Sequence, residues 1–135
     1  MKELNESHIK ILKHFSNGIT HNLILWIISK GSIHGYGIMK KLDEFFDFKD
    51  LDCNIKNTSS KIYPILRKME SNGLIVGEWD INENNKRVKY YTITEEGLLI
   101  LDNIGRVMKS LFNNPSWLMF YKDMAGVEIS YEKRN

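Results

Sequence analysis

The sequence predicts a mainly α-helical fold with a small β-hairpin, and three observations support that prediction. Apolar residues recur at helical spacing in four successive segments before residue 72. Two short stretches rich in β-branched and aromatic residues then flank an Asn-rich connection, as in a hairpin. The length of 135 residues fits one domain with little room for a second.

Two helices are predicted before residue 31. The first covers Glu3–Phe15, and Asn17-Gly18 is a typical helix stop. The second covers about His21–Lys30, with Thr20 as its cap. Because this second helix is apolar on nearly every side, we expect it at the centre of the core. The apolar face of the first helix contains Leu4, His8, Ile11, Leu12 and Phe15.

A third helix is predicted over Tyr36–Phe46 after a turn at His34-Gly35, and residues 47–57 are predicted to form a loop. A fourth helix should begin near Ser60 or Lys61, because that start places Pro64 close to the first turn, where backbone N–H groups have no helical partner. Asn72-Gly73 predicts its end. Its core stripe is Ile62, Ile65, Leu66 and Met69.

The hairpin strands are predicted over Leu74–Asp80 and Arg87–Ile93. Thr94 is typical of a helix cap, and the helix after it should run from about Glu95 to Phe112. The break at 113–115 precedes a short apolar segment at 117–121 and a loose tail from about Gly126. Three compact helices followed by a hairpin make a winged helix-turn-helix, with an additional N-terminal helix and a C-terminal dimerisation helix.

The exposed side of the fourth helix has the side chains that a DNA-reading helix needs. It combines hydroxyls, cations and the aromatic Tyr63, which can reach phosphates and base edges from the major groove. Arg67 is the candidate guanine contact because its fork matches two acceptors, and Lys61 is a candidate phosphate contact. The alternative is an ordinary solvated helix face.

Charge at the hairpin tip favours the DNA-binding interpretation. The overall net charge of +2 is too small to establish a nucleic-acid partner. Lys86, Arg87 and Lys89 cluster where a wing tip is expected and can reach the minor groove or the backbone. Glu78, Asp80 and Glu83 on the same hairpin weaken this signal.

Other classes of function have little support in the sequence. The four histidines show no metal-ligand spacing, and no catalytic Ser–His–acid or phosphate-loop pattern is present, so we expect neither an enzyme nor a cofactor. The longest apolar run, Leu23–Ile28, is far shorter than the ~20 residues of a membrane span. The single cysteine, Cys53, suits a reducing cytoplasm, which is the expected location.

Apolar stripes on the two end helices exceed what a three-helix core can cover, which predicts a homodimer, although packing within one chain is the alternative. The candidate dimerisation residues are Leu4, Ile11, Phe15, Leu101, Ile104, Met108 and Leu111.

Three motifs resemble the PadR family of transcriptional regulators. They are GSIHGYGIMKKL at 31–42, SSKIYPILRKMESNGLI at 59–75 and KRVKYYTITEEG at 86–97, in family order. The resemblance implies a dimeric winged-helix repressor whose recognition helix holds Tyr63, Pro64 and Arg67. It also implies an unidentified effector as a further partner, since many relatives lift repression on binding a small molecule or on a second signal. Relatives that stack a flat ligand use a tryptophan where this chain has Met108, so such a ligand is not expected.

The combined prediction is a regulator that binds a pseudo-palindromic operator in double-stranded DNA as a homodimer. The alternative is a winged-helix module for protein–protein contact without DNA binding. The predicted organisation is a DNA-binding domain at 1–94, a dimerisation region at 95–124 and a flexible tail at 125–135. The predicted DNA-binding residues are Tyr36, Ser59, Ser60, Lys61, Tyr63, Arg67, Lys68, Lys86, Arg87 and Lys89.

Overall fold

A computed structural model describes residues 6–48, 50 and 53–127, with side chains given outside 7–17 and 53–54. Within that part the chain contains five helices and five short strands, so the predicted mainly helical fold with a hairpin is confirmed. The chain divides into two compact units, Met1–Leu98 and Leu99–Asn135. Among the helices described, none is long and apolar enough to cross a membrane.

The first helix, α1, runs without interruption over Glu6–Ser29, so the predicted division into two helices was wrong. Asn17-Gly18 lies inside it. A glycine in a helix interior costs only about 1 kcal/mol relative to alanine. Burial of Thr20, Ile24 and Ile28 just beyond the glycine holds the continuing helix in place. Of the predicted dimerisation residues, Leu4 and the side chains of Ile11 and Phe15 lie outside the described part.

The helix-turn-helix core follows α1. A two-residue strand, β1 (Ile33–His34), leads into α2 (Gly35–Phe45), and His34 caps this helix by accepting the Gly37 N–H at Nδ1 (2.8 Å). The core side chains are almost fully buried and come from α1, α2, the helix that holds Tyr63 and the hairpin. They are Ile24, Ile28, Ile38, Leu42, Ile62, Leu66 and Ile75.

The segment predicted as a loop at 47–57 contains two short strands, β2 (Asp47–Phe48) and β3 (Cys53–Asn54), which pair antiparallel. A strand of two residues has no measurable alternation, so sequence periodicity could not reveal either of them. The same limit applies to β1, which pairs with the second hairpin strand.

The predicted recognition helix, α3, spans Ser59–Ser71, one or two residues earlier than predicted. Pro64 therefore lies in the second turn rather than the first, and its missing N–H leaves the Ser60 carbonyl without its usual helical partner. The helix ends at Ser71, directly before the predicted stop at Asn72-Gly73, and the φ of +75° at Gly73 permits a tight reversal. There the N–H groups of Gly73 and Leu74 donate to the carbonyls of Glu70 and Met69.

The wing is formed by β4 (Ile75–Ile81) and β5 (Arg87–Ile93), and the strand order of the sheet is β1-β5-β4. Its turn is built around Asn82, whose Oδ1 accepts the N–H groups of Asn84 (3.0 Å) and Lys86 (2.9 Å). Asn85 adopts a left-handed φ of +62°, a conformation that asparagine tolerates well. Thr94 then caps the next helix by accepting the Gly97 N–H (3.1 Å), as predicted.

Two helices follow the wing. α4 covers Glu95–Leu111, close to its predicted bounds. The segment after the break is a full helix, α5 (Pro115–Ala125), where only a short apolar segment was expected. Asn114 caps it by accepting the Ser116 N–H, and Pro115 stands at the start, where the missing N–H has no cost. Asn-Asn-Pro thus both ends one helix and starts the next.

Candidate nucleic-acid interface

A groove of about 710 Å³ lies between α3 and the wing. Six of the ten predicted DNA-binding residues line it, although they come from α2, α3, the hairpin turn and the strand that follows the turn. The other four lie outside its lining: Ser59, Ser60, Lys61 and Lys68. The six lining residues are Tyr36, Tyr63, Arg67, Lys86, Arg87 and Lys89.

Tyr63 joins the recognition helix to the start of α2. Its ring lies so close to buried Gly35 that a Cβ on that glycine would approach the Tyr63 hydroxyl to 2.5 Å. Any larger residue at position 35 would therefore force the Tyr63 ring to move. Tyr36 is 61% exposed beside it, with the Lys40 ammonium 5.4 Å from its ring centroid. The two tyrosines therefore form an aromatic border on the α2 side of the groove.

Arg67 is exposed on α3 and lines the groove. Four residues along, Ser71 is exposed as well, and its hydroxyl donates to the Lys68 carbonyl (3.0 Å). At the other end of the helix, Lys61 is half-buried and donates to Asn57 Oδ1 (3.2 Å). Arg67 is thus exposed within the groove, whereas the ammonium of Lys61 is paired with Asn57 outside the groove lining.

The wing presents one of its faces to α3. Trp79 is opposite Lys89 in the ladder, and Gly77 is opposite Tyr91. Residues opposite each other in an antiparallel pair share a face. Arg87 lies on this face too, with its guanidinium carbon 4.8 Å from the Trp79 ring centroid. Cations and an indole thus occupy the wing side of the groove.

Glu70 fixes the wing to the recognition helix. One of its oxygens accepts from Lys89 Nζ (2.8 Å), and the other accepts the Gly77 N–H (2.9 Å). The hydrogen bond from Lys89 is the main cause that lowers the pKa of Glu70, and the same bond raises the pKa of Lys89. The carboxylate therefore contacts both strands of the hairpin, and the ammonium of Lys89 is already paired within the protein.

Sequence reasoning missed Glu70 and Trp79 as parts of this site. The sequence did contain a signal for Trp79. Alternate residues of a strand lie on the same face of the sheet, so every second residue away from the turn shares a face, which places Trp79 with Arg87 and Lys89. Glu70 carried no such signal, because its contacts depend on how the helix docks onto the hairpin. Among the described residues, no group of three or more histidines, cysteines or acids could hold a metal ion.

These features define a winged helix-turn-helix protein with a cationic groove between recognition helix and wing. The model of the transcriptional regulator PadR-like family matches residues 24–103. The chain belongs to that family, as the three motifs suggested. Among curated proteins none matches the chain significantly.

Solved structures of other family members are similar to this chain. A PadR-like transcriptional regulator from Bacillus cereus is 30% identical, with a TM-score of 0.57 over 72% of this chain and 91% of its own. A PadR family regulator from Clostridium difficile is 28% identical, with a TM-score of 0.57 over 70% of this chain and 95% of its own. Bacillus subtilis PadR in complex with operator DNA is 28% identical, with a TM-score of 0.53 over 63% of this chain and 44% of its own.

Proposed function

We propose that this PadR family regulator is a repressor that binds a pseudo-palindromic operator as a homodimer. One observation supports the proposal above the others: Arg67 of the recognition helix and Arg87 of the wing line the same groove. A duplex whose sugar-phosphate backbone lies along that groove would meet cations from a helix and from a hairpin together. The Bacillus subtilis relative, solved with operator DNA, has the same fold.

In the proposed complex, α3 lies in the major groove and Arg67 bonds O6 and N7 of a guanine with its planar fork. Exposed Ser59, Ser60 and Lys68, together with Lys61, contact phosphates along the helix and set its register. Tyr36 and Tyr63 contact the backbone from the α2 side. Exposed Lys86 and Arg87 at the wing tip reach the neighbouring backbone or minor groove.

We propose a different role for Lys89. Because its ammonium is 2.8 Å from Glu70, a phosphate would have to compete with a carboxylate already in place. Lys89 then acts by holding the wing at a fixed angle to α3. In this proposal Lys89 contributes to DNA binding indirectly, in place of the direct contact that the sequence suggested.

The proposed dimer rests on α4. Leu101, Ile104 and Leu111 are half-buried within one chain, and Met108 is 54% exposed between them. A second copy packing on this stripe would cover it and would present two recognition helices to successive major grooves, about 34 Å apart. The two-fold symmetry of such a dimer requires an operator with matching half-sites.

The test is fluorescence anisotropy with a duplex of the gene's own upstream region, a scrambled duplex of equal length and a series of salt concentrations. We expect tighter binding to the native duplex, with affinity falling steeply as salt rises. Sedimentation velocity on the free protein measures the dimer, and a reporter fused to the bound promoter distinguishes repression from activation.

Equal and weak binding to both duplexes would direct the search to other genomic fragments. If no fragment is bound with a salt-dependent affinity, DNA binding is wrong. A reporter whose output falls on deletion of the protein would overturn repression while leaving DNA binding intact.

A further inference from the structure

The wing carries a large aromatic side chain that the contacts proposed above do not use. Trp79 is 57% exposed, and Ile81 on the same strand is 63% exposed. Trp79 and Ile81 lie two residues apart on one face of the strand, and neighbouring exposed apolar side chains of this size are typical of interaction surfaces. The question is which partner this part of the wing contacts.

The position of Trp79 restricts which kind of partner can contact it. The ladder places it on the face that turns towards α3, because Lys89 and Gly77 of that face both contact Glu70. Trp79 lines the groove with Arg67 and Arg87. Whatever occupies the groove must therefore contact the indole together with these cations.

The chemistry of the surroundings favours nucleic acid. The guanidinium of Arg87 lies 4.8 Å from the centre of the indole, and the ammonium of Lys89 lies 6.0 Å from it. A guanidinium stacked on an aromatic face keeps its N–H edges available in the plane for a phosphate. Protein–protein interfaces, in contrast, are typically depleted of lysine, whereas Lys86 and Lys89 both line this groove.

We propose that Trp79 is a DNA contact: its exposed indole edge packs against deoxyribose while Arg87, stacked on the ring, donates to the adjacent phosphate. This inference rests on the proposed DNA-binding function. It adds Trp79 to the DNA contacts already proposed for that function. The proposal predicts a distinctive salt dependence for the contribution of Trp79. Because packing against a sugar releases no counterions, the contribution of Trp79 to affinity must be independent of salt, unlike that of the cations.

The chain has three tryptophans, Trp26, Trp79 and Trp117, so their fluorescence reports the contact directly. Adding the bound duplex should quench or shift the emission of the unaltered protein. The change should persist in W26F, whose altered ring lies on α1 outside the groove, and disappear in W79F. Since phenylalanine keeps an aromatic ring, W79F should retain most of the affinity.

Trp79→Ala supplies the energetic test. We expect affinity about tenfold weaker at every salt concentration, with the slope of log K against log salt unchanged. Trp79 is exposed, so thermal unfolding should differ little from that of the unaltered protein. If W79A nevertheless unfolds, the fluorescence comparison of W79F with W26F still tests whether Trp79 contacts DNA.

The outcomes separate the two proposals. Absence of DNA binding by the unaltered protein overturns both. Normal DNA binding with an unchanged fluorescence response in W79F, or with full affinity in W79A, overturns the Trp79 contact alone. If W79A lowers the salt slope by about one and has no further effect in an R87A background, Trp79 only positions Arg87, and the direct contact is wrong.

Discussion

The Glu70 carboxylate lies 2.8 Å from the Lys89 ammonium, and this pair joins the last turns of the recognition helix to the second wing strand. The two residues are 19 positions apart in the chain. Each side chain is about three-tenths exposed (31% for Glu70 and 26% for Lys89), so the pair is shielded from solvent more than a surface ion pair is. In the proposed complex with DNA, this pair holds the angle between helix and wing and so sets where both meet the duplex.

The pairing of Lys89 predicts that it and Lys86 differ in their response to salt. Replacing exposed Lys86 by methionine should lower the slope of log K against log salt by about one, because one phosphate contact is lost. Lys89→Met should leave the slope unchanged, since its charge is neutralised within the protein, while reducing stability. Anisotropy over a salt series measures both slopes. A reduction in K89M as large as that in K86M would show that Lys89 binds a phosphate in the complex.

The pKa directions of the pair predict how its contribution to stability depends on pH. The pKa of Glu70 is lowered on folding, so its contribution is present above the unfolded value, about 4.3, and is lost as pH falls through the folded value. The pKa of Lys89 is raised, so its contribution is complete below about 10.4 and is lost at higher pH. Between these limits the contribution should be flat.

Glu70→Gln tests this dependence. It should lower the free energy of unfolding by about 1 kcal/mol at pH 7, and the difference from the unaltered protein should shrink below pH 4. Urea unfolding at several pH values measures this difference in the free energy of unfolding. Glu78→Gln is the matched control, because Glu78 is an exposed acid on the opposite face of the same hairpin. Equal effects from both variants at pH 7 would argue against a specific pair.

The sequence alone located the recognition helix and the hairpin well, because their signals are local. Ile62, Leu66 and Met69 repeat at helical spacing and are buried, and Gly73 ends the helix with the positive φ that its residue type favours. Local signals failed where tertiary contacts outweigh them. Asn17-Gly18 looks like a stop, yet the helix passes through it because the segment beyond is held in the core.

The groove itself was only partly predictable. Lys86 and Arg87 follow from the position of the turn, and Arg67 follows from the helical face opposite Ile62 and Leu66. The contact between Glu70 and the wing depends on how two elements dock, which no periodicity encodes. The closeness of Tyr63 to Gly35 has the same origin, since these residues belong to different helices.

Arg67 is predicted to read a base. Arg67→Ala should weaken operator binding by about 1–3 kcal/mol and relax the choice of base at one position of each half-site. Arg67→Lys is the sharper variant, since it keeps the charge and loses the planar fork. We expect R67K to retain the salt slope and to lose discrimination between operator and scrambled duplex. Unchanged discrimination in R67K would place the guanidinium on a phosphate.

Substitution of Gly35 is predicted to displace Tyr63. A Cβ at position 35 would meet the Tyr63 hydroxyl at 2.5 Å, so Gly35→Ala should cost about 1 kcal/mol and displace the tyrosine from the groove. Tyr63→Ala removes the clash, so the cost of G35A should fall in that background. Gly18→Ala is the control: nothing lies within 4 Å of its Cβ position, and alanine there should stabilise α1. A full cost of G35A in the Y63A background would contradict this account.

The proposed dimer predicts a loss of DNA binding from a residue that no duplex contacts. Met108 is 54% exposed on the apolar stripe of α4, and a glutamate there would place an unpaired charge in the seam between two copies. Met108→Glu should therefore sediment as a monomer and bind the operator at least about tenfold more weakly, because each monomer holds a single half-site. Asn103→Glu adds the same charge on the opposite, exposed side of α4 and should remain dimeric with full affinity. If M108E stays dimeric, the seam lies on another surface of the chain, and α4 is not the dimerisation element.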